Sequence, residues 1–95
     1  MANKMDLYEV HYLWKPPVGT SADIYKQYCS ETICRTLGLE PSLAVRAVYE
    51  AKEHSRALVF TSFNIDKATS ARNALLALKV DCSLIKNNIE QPSSQ

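Results

Sequence analysis

Apolar side chains alternate with polar ones near the start of the chain. Tyr8, Val10, Tyr12 and Trp14 occupy every second position within residues 6–14. Period-two alternation of aromatic and β-branched residues is typical of a strand with one apolar face. The KPPVG sequence that follows ends the strand, because proline cannot donate to a ladder and glycine permits a turn. We therefore predict a strand over residues 6–14.

The next pattern has the period of a helix. Apolar residues recur at steps of three and four residues between Ala22 and Leu37, and Thr20 or Ser21 precedes them as a candidate N-cap. Gly38 follows the last apolar position, where a left-handed C-terminal cap is common. We predict a helix from about Ala22 to Leu37.

Two further strands are predicted in the middle of the chain. In SLAVRAVYEA, residues 42–51, the side chains of Val45, Ala47 and Tyr49 would face one way and their neighbours the other. RALVFTSF, residues 56–63, is the clearest strand pattern of the sequence. The polar KEHS sequence between them is short enough for a hairpin connection, so we expect two adjacent antiparallel strands.

The stretch from Ser70 to Gln91 predicts a long closing helix, because it contains neither proline nor glycine and carries one narrow apolar seam. Asp66 is placed to cap this helix. Since a strict seam is typical of helix pairing, whereas a helix that covers a sheet has a broader stripe, two interpretations stay open. The seam either covers the sheet and the first helix or forms a protein interface. It consists of Ala71, Leu75, Leu78, Cys82, Ile85 and Ile89.

Together these elements predict one α+β domain. The order is strand, helix, strand, strand, helix, a βαββα two-layer sandwich in which two helices pack on a three-stranded, largely antiparallel sheet. A chain of 95 residues with 46% hydrophobic residues is sufficient for one such domain. We place the domain at residues 1–91 and expect residues 92–95 to form a flexible tail.

Charge and cysteine content narrow the function classes. The net charge of +1 lacks the basic excess of a dedicated nucleic-acid binder. The three cysteines have no Cys-x-x-Cys spacing, so we expect reduced thiols and no metal site. No apolar run reaches the ~20 residues of a membrane span. We therefore expect a protein of the cytoplasm or nucleus that uses no membrane, metal or cofactor.

Catalytic motifs are missing from the sequence. Only two glycines are present, which excludes glycine-rich phosphate loops, and the carboxylates are scattered rather than paired. A Cys–His nucleophile would need His11 beside a cysteine such as Cys29, and the spacing gives no signal for that pair. We expect a protein that is not an enzyme by itself and has no catalytic residues.

The segment from Pro41 to Gln91 resembles the CTAG/Pcc family, the small dimerisation subunit of the KEOPS (EKC) complex. In that family a hairpin ends in a polar turn with an acidic residue, and an arginine then opens a long closing helix. Here RALVFTSF corresponds to the second strand, Asp66 to the acidic residue and Arg72 to the arginine. The upstream PPVGTSADIYKQY sequence falls where the family has a turn and the start of its first helix.

The resemblance implies a non-catalytic scaffold. A family member would pair with itself or with a paralogue, dock on the catalytic subunit of a KEOPS-like complex, and support formation of threonylcarbamoyladenosine in tRNA. The expected protein-interface residues are Arg72, Leu75, Leu78, Cys82, Ile85 and Ile89. Transfer RNA would be an indirect partner, and the candidates for a contact to it are Arg46, Arg56, Lys79 and Lys86.

Two alternatives to the scaffold stay open. A stand-alone RNA-binding α+β domain would carry a basic patch and bind RNA in a salt-dependent manner. A small enzyme or ligand-binding domain built on a Cys–His pair would carry a reactive thiol of low pKa.

Overall fold

The computed structural model describes the backbone of residues 3–91 and the side chains of residues 5–87. The predicted tail at residues 92–95 lies outside the described residues. Three strands and three helices follow one another in the described part: β1 (Asn3–Leu13), α1 (Ala22–Leu37), α2 (Pro41–His54), β2 (Arg56–Ser62), α3 (Ile65–Ala77) and β3 (Cys82–Gln91).

The three strands form one antiparallel sheet in the order β2-β1-β3. The predicted α+β class and three-stranded antiparallel sheet are therefore confirmed. All three helices contribute to one core with the sheet face that carries Val10 and Tyr12. α2 packs on β2 and β1, α3 packs on all three strands, and α1 contacts α2 and α3. The largest fully buried side chains are Tyr12, Ile33, Leu75, Val10, Val48, Val80 and Cys29.

The first strand and the first helix lie where the pattern predicts them. The Ser21 hydroxyl accepts a hydrogen bond from the backbone N–H of Ile24 at 3.5 Å, as an N-cap does. Gly38 ends α1 with φ 70°, a left-handed conformation that glycine adopts without strain. The rings of Trp14 and Tyr25 meet edge to face with centroids 4.9 Å apart, and this contact packs the chain after β1 against α1.

The predicted strand over residues 42–51 is wrong, because these residues lie in α2. Pro41 stands in the first helical turn, where its fixed φ suits the helix and its missing N–H removes no bond. The sequence of this segment contains two patterns: the strand-like alternation that includes Val45 and Tyr49, and a helical spacing of other apolar residues. The residues with the helical spacing are the ones buried in the core. The residues with that spacing are Ala44, Ala47, Val48 and Ala51. The predicted hairpin is therefore absent from the described residues.

The predicted helix from Ser70 to Gln91 is also wrong in its second half. α3 ends at Ala77, the chain turns through Lys79 at φ 68°, and residues from Cys82 onward form β3. An unbroken register with β1 provides a hydrogen-bonded ladder for this segment. Such long-range pairing outweighs the helix preference of a short sequence. The element order is βααβαβ with three helices, and the expected βαββα order with two helices is corrected accordingly.

Asn64, and not Asp66, caps α3. The Asn64 side-chain oxygen accepts the N–H groups of Asp66 at 2.8 Å and Lys67 at 3.3 Å. Asp66 lies in the first turn, where its negative charge interacts favourably with the positive end of the helix dipole. Because α3 begins at Ile65, Arg72 lies within the helix and does not open it.

Candidate functional site

The outer edge of β3 has no partner strand in the described sheet, so the backbone groups on that side are free to bond an added strand. The N–H of Leu13 donates to the C=O of Asp81 at 2.9 Å, which fixes the hydrogen-bonding phase between β1 and β3. Bonded and non-bonded pairs alternate in an antiparallel ladder, and the β1–β3 register contains no shift. Odd-numbered residues of β3 therefore bond to β1. The backbone groups that point away from β1 belong to Leu84, Lys86, Asn88 and Glu90.

β1 and β3 continue together beyond the end of β2. The β1–β2 pairing covers residues 8–13 of β1, whereas the β1–β3 pairing reaches back to Asn3. Residues 3–7 and 87–91 thus form a two-stranded segment, which we call the β1–β3 ribbon. An isolated two-stranded ribbon is only marginally stable in water, and a third strand or a covering helix stabilises it.

The opposite edge of the sheet is better protected against strand addition. The register between β1 and β2 shifts between Val10 and His11, which leaves Val59 as an extra, bulged residue. A bulge is one of the devices that block edge pairing. β3 has neither a proline nor a register shift, and in its described part it carries one charged side chain, that of Lys86, so it is the more open edge.

A polar pair occupies the sheet face opposite the helices. The Nε2 atom of His11 lies 2.9 Å from Oε1 of Glu9. This hydrogen bond lowers the pKa of the Glu9 carboxyl below its ordinary value, against the opposing effect of burial. The other ring nitrogen of His11, Nδ1, is buried and has no hydrogen-bond partner among the described residues. On the same face Arg56 donates to the Ser83 hydroxyl at 2.7 Å.

The six residues predicted as a protein interface do not share one surface. Leu75 is fully buried in the core, Cys82 is buried at the start of β3, and Leu78 is exposed at the C-terminal cap of α3. The guanidinium of Arg72 donates to the Asn73 side-chain oxygen at 3.1 and 3.2 Å. No single helix carries the predicted seam, because its residues are divided among α3, the C-terminal cap of α3 and β3.

Two of the predicted interface residues do belong to the edge strand. Ile85 is the register partner of Glu9 and therefore lies on the sheet face opposite the helices. Ile89 is the register partner of Met5, within the β1–β3 ribbon. The sequence thus singled out positions on β3, but for a helical surface. The Asn87-Asn88 pair is unfavourable in a helix interior, but it lies within β3, well past the end of α3 at Ala77, and so it does not indicate where the helix ends.

The four basic residues predicted to contact tRNA lie on different elements. Arg46 is on α2, Arg56 begins β2, Lys79 is in the turn after α3 and Lys86 is on β3. All four are exposed. Lys86 lies 3.7 Å from a carboxylate oxygen of Asp6, and Arg56 is bonded to Ser83. A direct contact to tRNA stays a prediction.

The two buried cysteines, Cys29 and Cys82, do not match the Cys–His alternative. Cys29 lies in the core, on the helix side of the sheet, whereas His11 lies on the opposite side. Burial raises the pKa of the Cys29 thiol, and it raises the pKa of Cys82 to about 11. A reactive thiol needs the opposite shift. In the part of the chain that the structure describes, no three His, Cys, Asp or Glu residues gather as a metal site would require.

A shallow groove runs between α1 and α2. It consists of two adjoining cavities of about 330 Å³ each, which share Ser30, Glu31 and Val45. The charges along its rim are paired within the chain: Lys26 lies 3.3 Å from Asp23, and Arg35 lies 3.7 Å from Glu31. Nothing in this arrangement selects a particular ligand.

Comparison of the sequence with protein-family models and with curated proteins gives no match. The elements that carry the resemblance to the CTAG/Pcc family are also arranged differently here, because α2 replaces the first hairpin strand and β3 replaces the end of the closing helix. The family assignment stays a prediction from the sequence.

No helix in the described range is long and apolar enough to cross a membrane.

Proposed function

We propose that this chain is a non-catalytic interaction domain that functions as a homodimer, with the free edge of β3 as its interface. The observation that carries the proposal is the free edge of β3, which directs the backbone groups of four residues away from β1 and continues into the two-stranded β1–β3 ribbon. An added strand would bond these groups and give the ribbon the third strand that it lacks.

A second copy of the chain is the partner that fits this edge. In antiparallel self-pairing, the outward-facing residues of one β3 strand meet the outward-facing residues of the other, so both strands bond without any rearrangement. The contact is also closed, because each copy uses the same patch and no open edge of β3 remains to recruit further copies.

Self-association agrees with the scaffold role that the sequence resemblance implies. The narrower role, a dimerisation subunit docked on the catalytic subunit of a KEOPS-like tRNA-modifying complex in the cytoplasm or nucleus, is a proposal supported by the sequence resemblance alone. The stand-alone RNA-binding alternative has weaker support, since its candidate basic residues are dispersed over the fold.

The test uses two proline substitutions at neighbouring positions. The N–H of Asn88 points away from β1, so Asn88→Pro removes no bond within the monomer but blocks the addition of a strand. We expect the wild type to dimerise in sedimentation velocity runs as its concentration is raised. Asn88→Pro should stay monomeric with an unchanged circular dichroism spectrum.

Asn87→Pro is the matched control. The N–H of Asn87 is directed at Leu7 of β1, so its loss should lower the melting temperature of the domain itself. A wild type that is monomeric at high micromolar concentration would contradict the proposal. If Asn88→Pro dimerised as strongly as the wild type, the dimer interface would not be the edge of β3.

A further inference from the structure

We infer that the two copies pair their β3 strands about a two-fold axis at Asn87, which joins both sheets into one continuous six-stranded sheet. This inference rests on the proposed function, because it gives the geometry of that same self-association. It follows from the hydrogen-bonding phase of β3 and from the order of side chains along the strand.

The hydrogen-bonding phase restricts the axis. Residues whose backbone groups point outward must meet one another, so even-numbered positions face even-numbered positions. An axis midway between two residues would place even positions opposite odd ones and leave the outward groups unbonded. The axis therefore passes through a residue. The candidates at the centre of the exposed part of β3 are Lys86, Asn87 and Asn88.

Repulsion between like charges excludes an axis at Lys86. An axis at Lys86 would place this lysine directly opposite its own copy, and like charges in directly opposed positions destabilise a strand pair. An axis at Asn88 avoids that repulsion, but it places Ile85 opposite Gln91 and Ile89 opposite Asn87. Each apolar residue would then face a polar one.

The axis at Asn87 satisfies both conditions. It places Ile85 of each copy opposite Ile89 of the other, so two apolar pairs form around the axis. These are non-hydrogen-bonded pairs, in which opposing side chains are closest. Lys86 falls opposite Asn88, so it no longer faces its own copy directly and meets it only across the longer diagonal.

The same register extends an apolar stripe that already exists on each copy. Leu7 and Met5 lie on β1 on the sheet face that carries Ile85, and Met5 is the register partner of Ile89. Met5 is exposed in the single chain. With the axis at Asn87, the row that contains Met5 and Ile89 continues to Ile85 of the second copy and is therefore apolar over three adjacent strands, before it ends at Glu9 of that copy.

Cysteine cross-linking tests the axis. The background is Cys34→Ser, because Cys34 is the half-exposed thiol, whereas Cys29 and Cys82 are buried. In Asn87→Cys the two new cysteines would be directly opposed in a non-hydrogen-bonded pair with Cα atoms about 4.5 Å apart, within the ~4.4–6.8 Å that a disulfide spans. We expect oxidised glutathione to convert this variant to a covalent dimer on non-reducing gels.

Asn88→Cys in the same background is the matched control. Its two cysteines would be offset along the strands and about 8 Å apart, beyond the reach of a disulfide. A second measurement mixes the Ile85→Cys and Ile89→Cys proteins, which should form a mixed disulfide with each other in preference to disulfides with themselves. Circular dichroism confirms that each variant is folded.

The possible outcomes distinguish a failure of the inferred register from a failure of the proposed self-association. Cross-linking through Asn88→Cys but not Asn87→Cys would overturn the axis at Asn87. A wild type that dimerises in sedimentation, combined with no cross-link from Asn87→Cys or the mixed pair, would overturn the register and leave self-association standing. A wild type that stays monomeric would overturn both.

Discussion

Several ionisable side chains, among them those of Tyr12 and Cys82, are buried in the core. The Tyr12 hydroxyl is buried and has no hydrogen-bond partner among the described residues. Burial raises the pKa of Tyr12, and the neighbouring Cys29 and Tyr25 raise it further. Burial also raises the pKa of Cys82, although the charge of Arg72 opposes this effect. These groups are neutral in the fold and harder to ionise there than in the unfolded chain.

The raised pKa of the Cys82 thiol predicts a loss of stability at alkaline pH. Its pKa rises from 9.0 to about 11 on folding, so between these values the unfolded thiol loses its proton while the folded one keeps it. The folded state then binds more protons than the unfolded state, and the free energy of unfolding falls as the pH rises. The urea midpoint of the wild type should decrease across this range. Cys82→Ala should show a shallower decrease, and parallel curves for the two proteins would exclude Cys82 as a cause.

At the scale of elements, the sequence predicts those whose stabilising contacts are local. β1, α1 and β2 each have one dominant period and clear boundary residues, and all three lie near their predicted positions. Residues 42–51 carry two competing periods, and only the packing of Ala44, Ala47, Val48 and Ala51 against the core decides for the helix. Residues from Cys82 onward become a strand because β1 supplies the ladder, and no local pattern contains that contact.

The candidate site was predictable only in part for the same reason. The sequence pattern included Ile85 and Ile89 as the last two positions of the apolar seam of a predicted helix. Their value for self-association depends on the strand order, on which edge lies open and on the hydrogen-bonding phase that Leu13 and Asp81 fix. These are properties of the assembled sheet, so amphipathic periodicity alone assigned both residues to a helix face.

Capping of α3 gives a prediction at this scale. Asn64→Ala should lower the free energy of unfolding by about 1 kcal/mol, because the N–H groups of Asp66 and Lys67 lose their acceptor. Asp66→Ala removes only an exposed charge from the first turn, so its loss should lie near the lower end of ~0.3–1 kcal/mol. Urea unfolding of both variants at neutral pH measures the difference. A larger loss for Asp66→Ala would restore Asp66 as the capping residue.

At the scale of the whole molecule, self-association through β3 would place all the helices on one side. Opposed residues of an antiparallel pair direct their side chains to the same face of the sheet. Two copies joined at β3 would therefore share one helix-covered face and one open face. The open face would carry both Glu9–His11 pairs and the apolar stripe around Ile85. Only the β2 edges would remain free, and each of them has a bulge that hinders further strand addition.

Amide hydrogen exchange should reveal this assembly as an alternating pattern along β3. The N–H groups of Leu84, Lys86, Asn88 and Glu90 point away from β1, so in dilute protein they should exchange rapidly. Raising the protein concentration should slow their exchange, because each would donate to the second copy. Ser83 and Ile85 are the internal control, since their N–H groups bond to β1 and should be protected at every concentration. Slowing that is confined to β2, or that affects odd and even positions of β3 equally, would contradict pairing through the β3 edge.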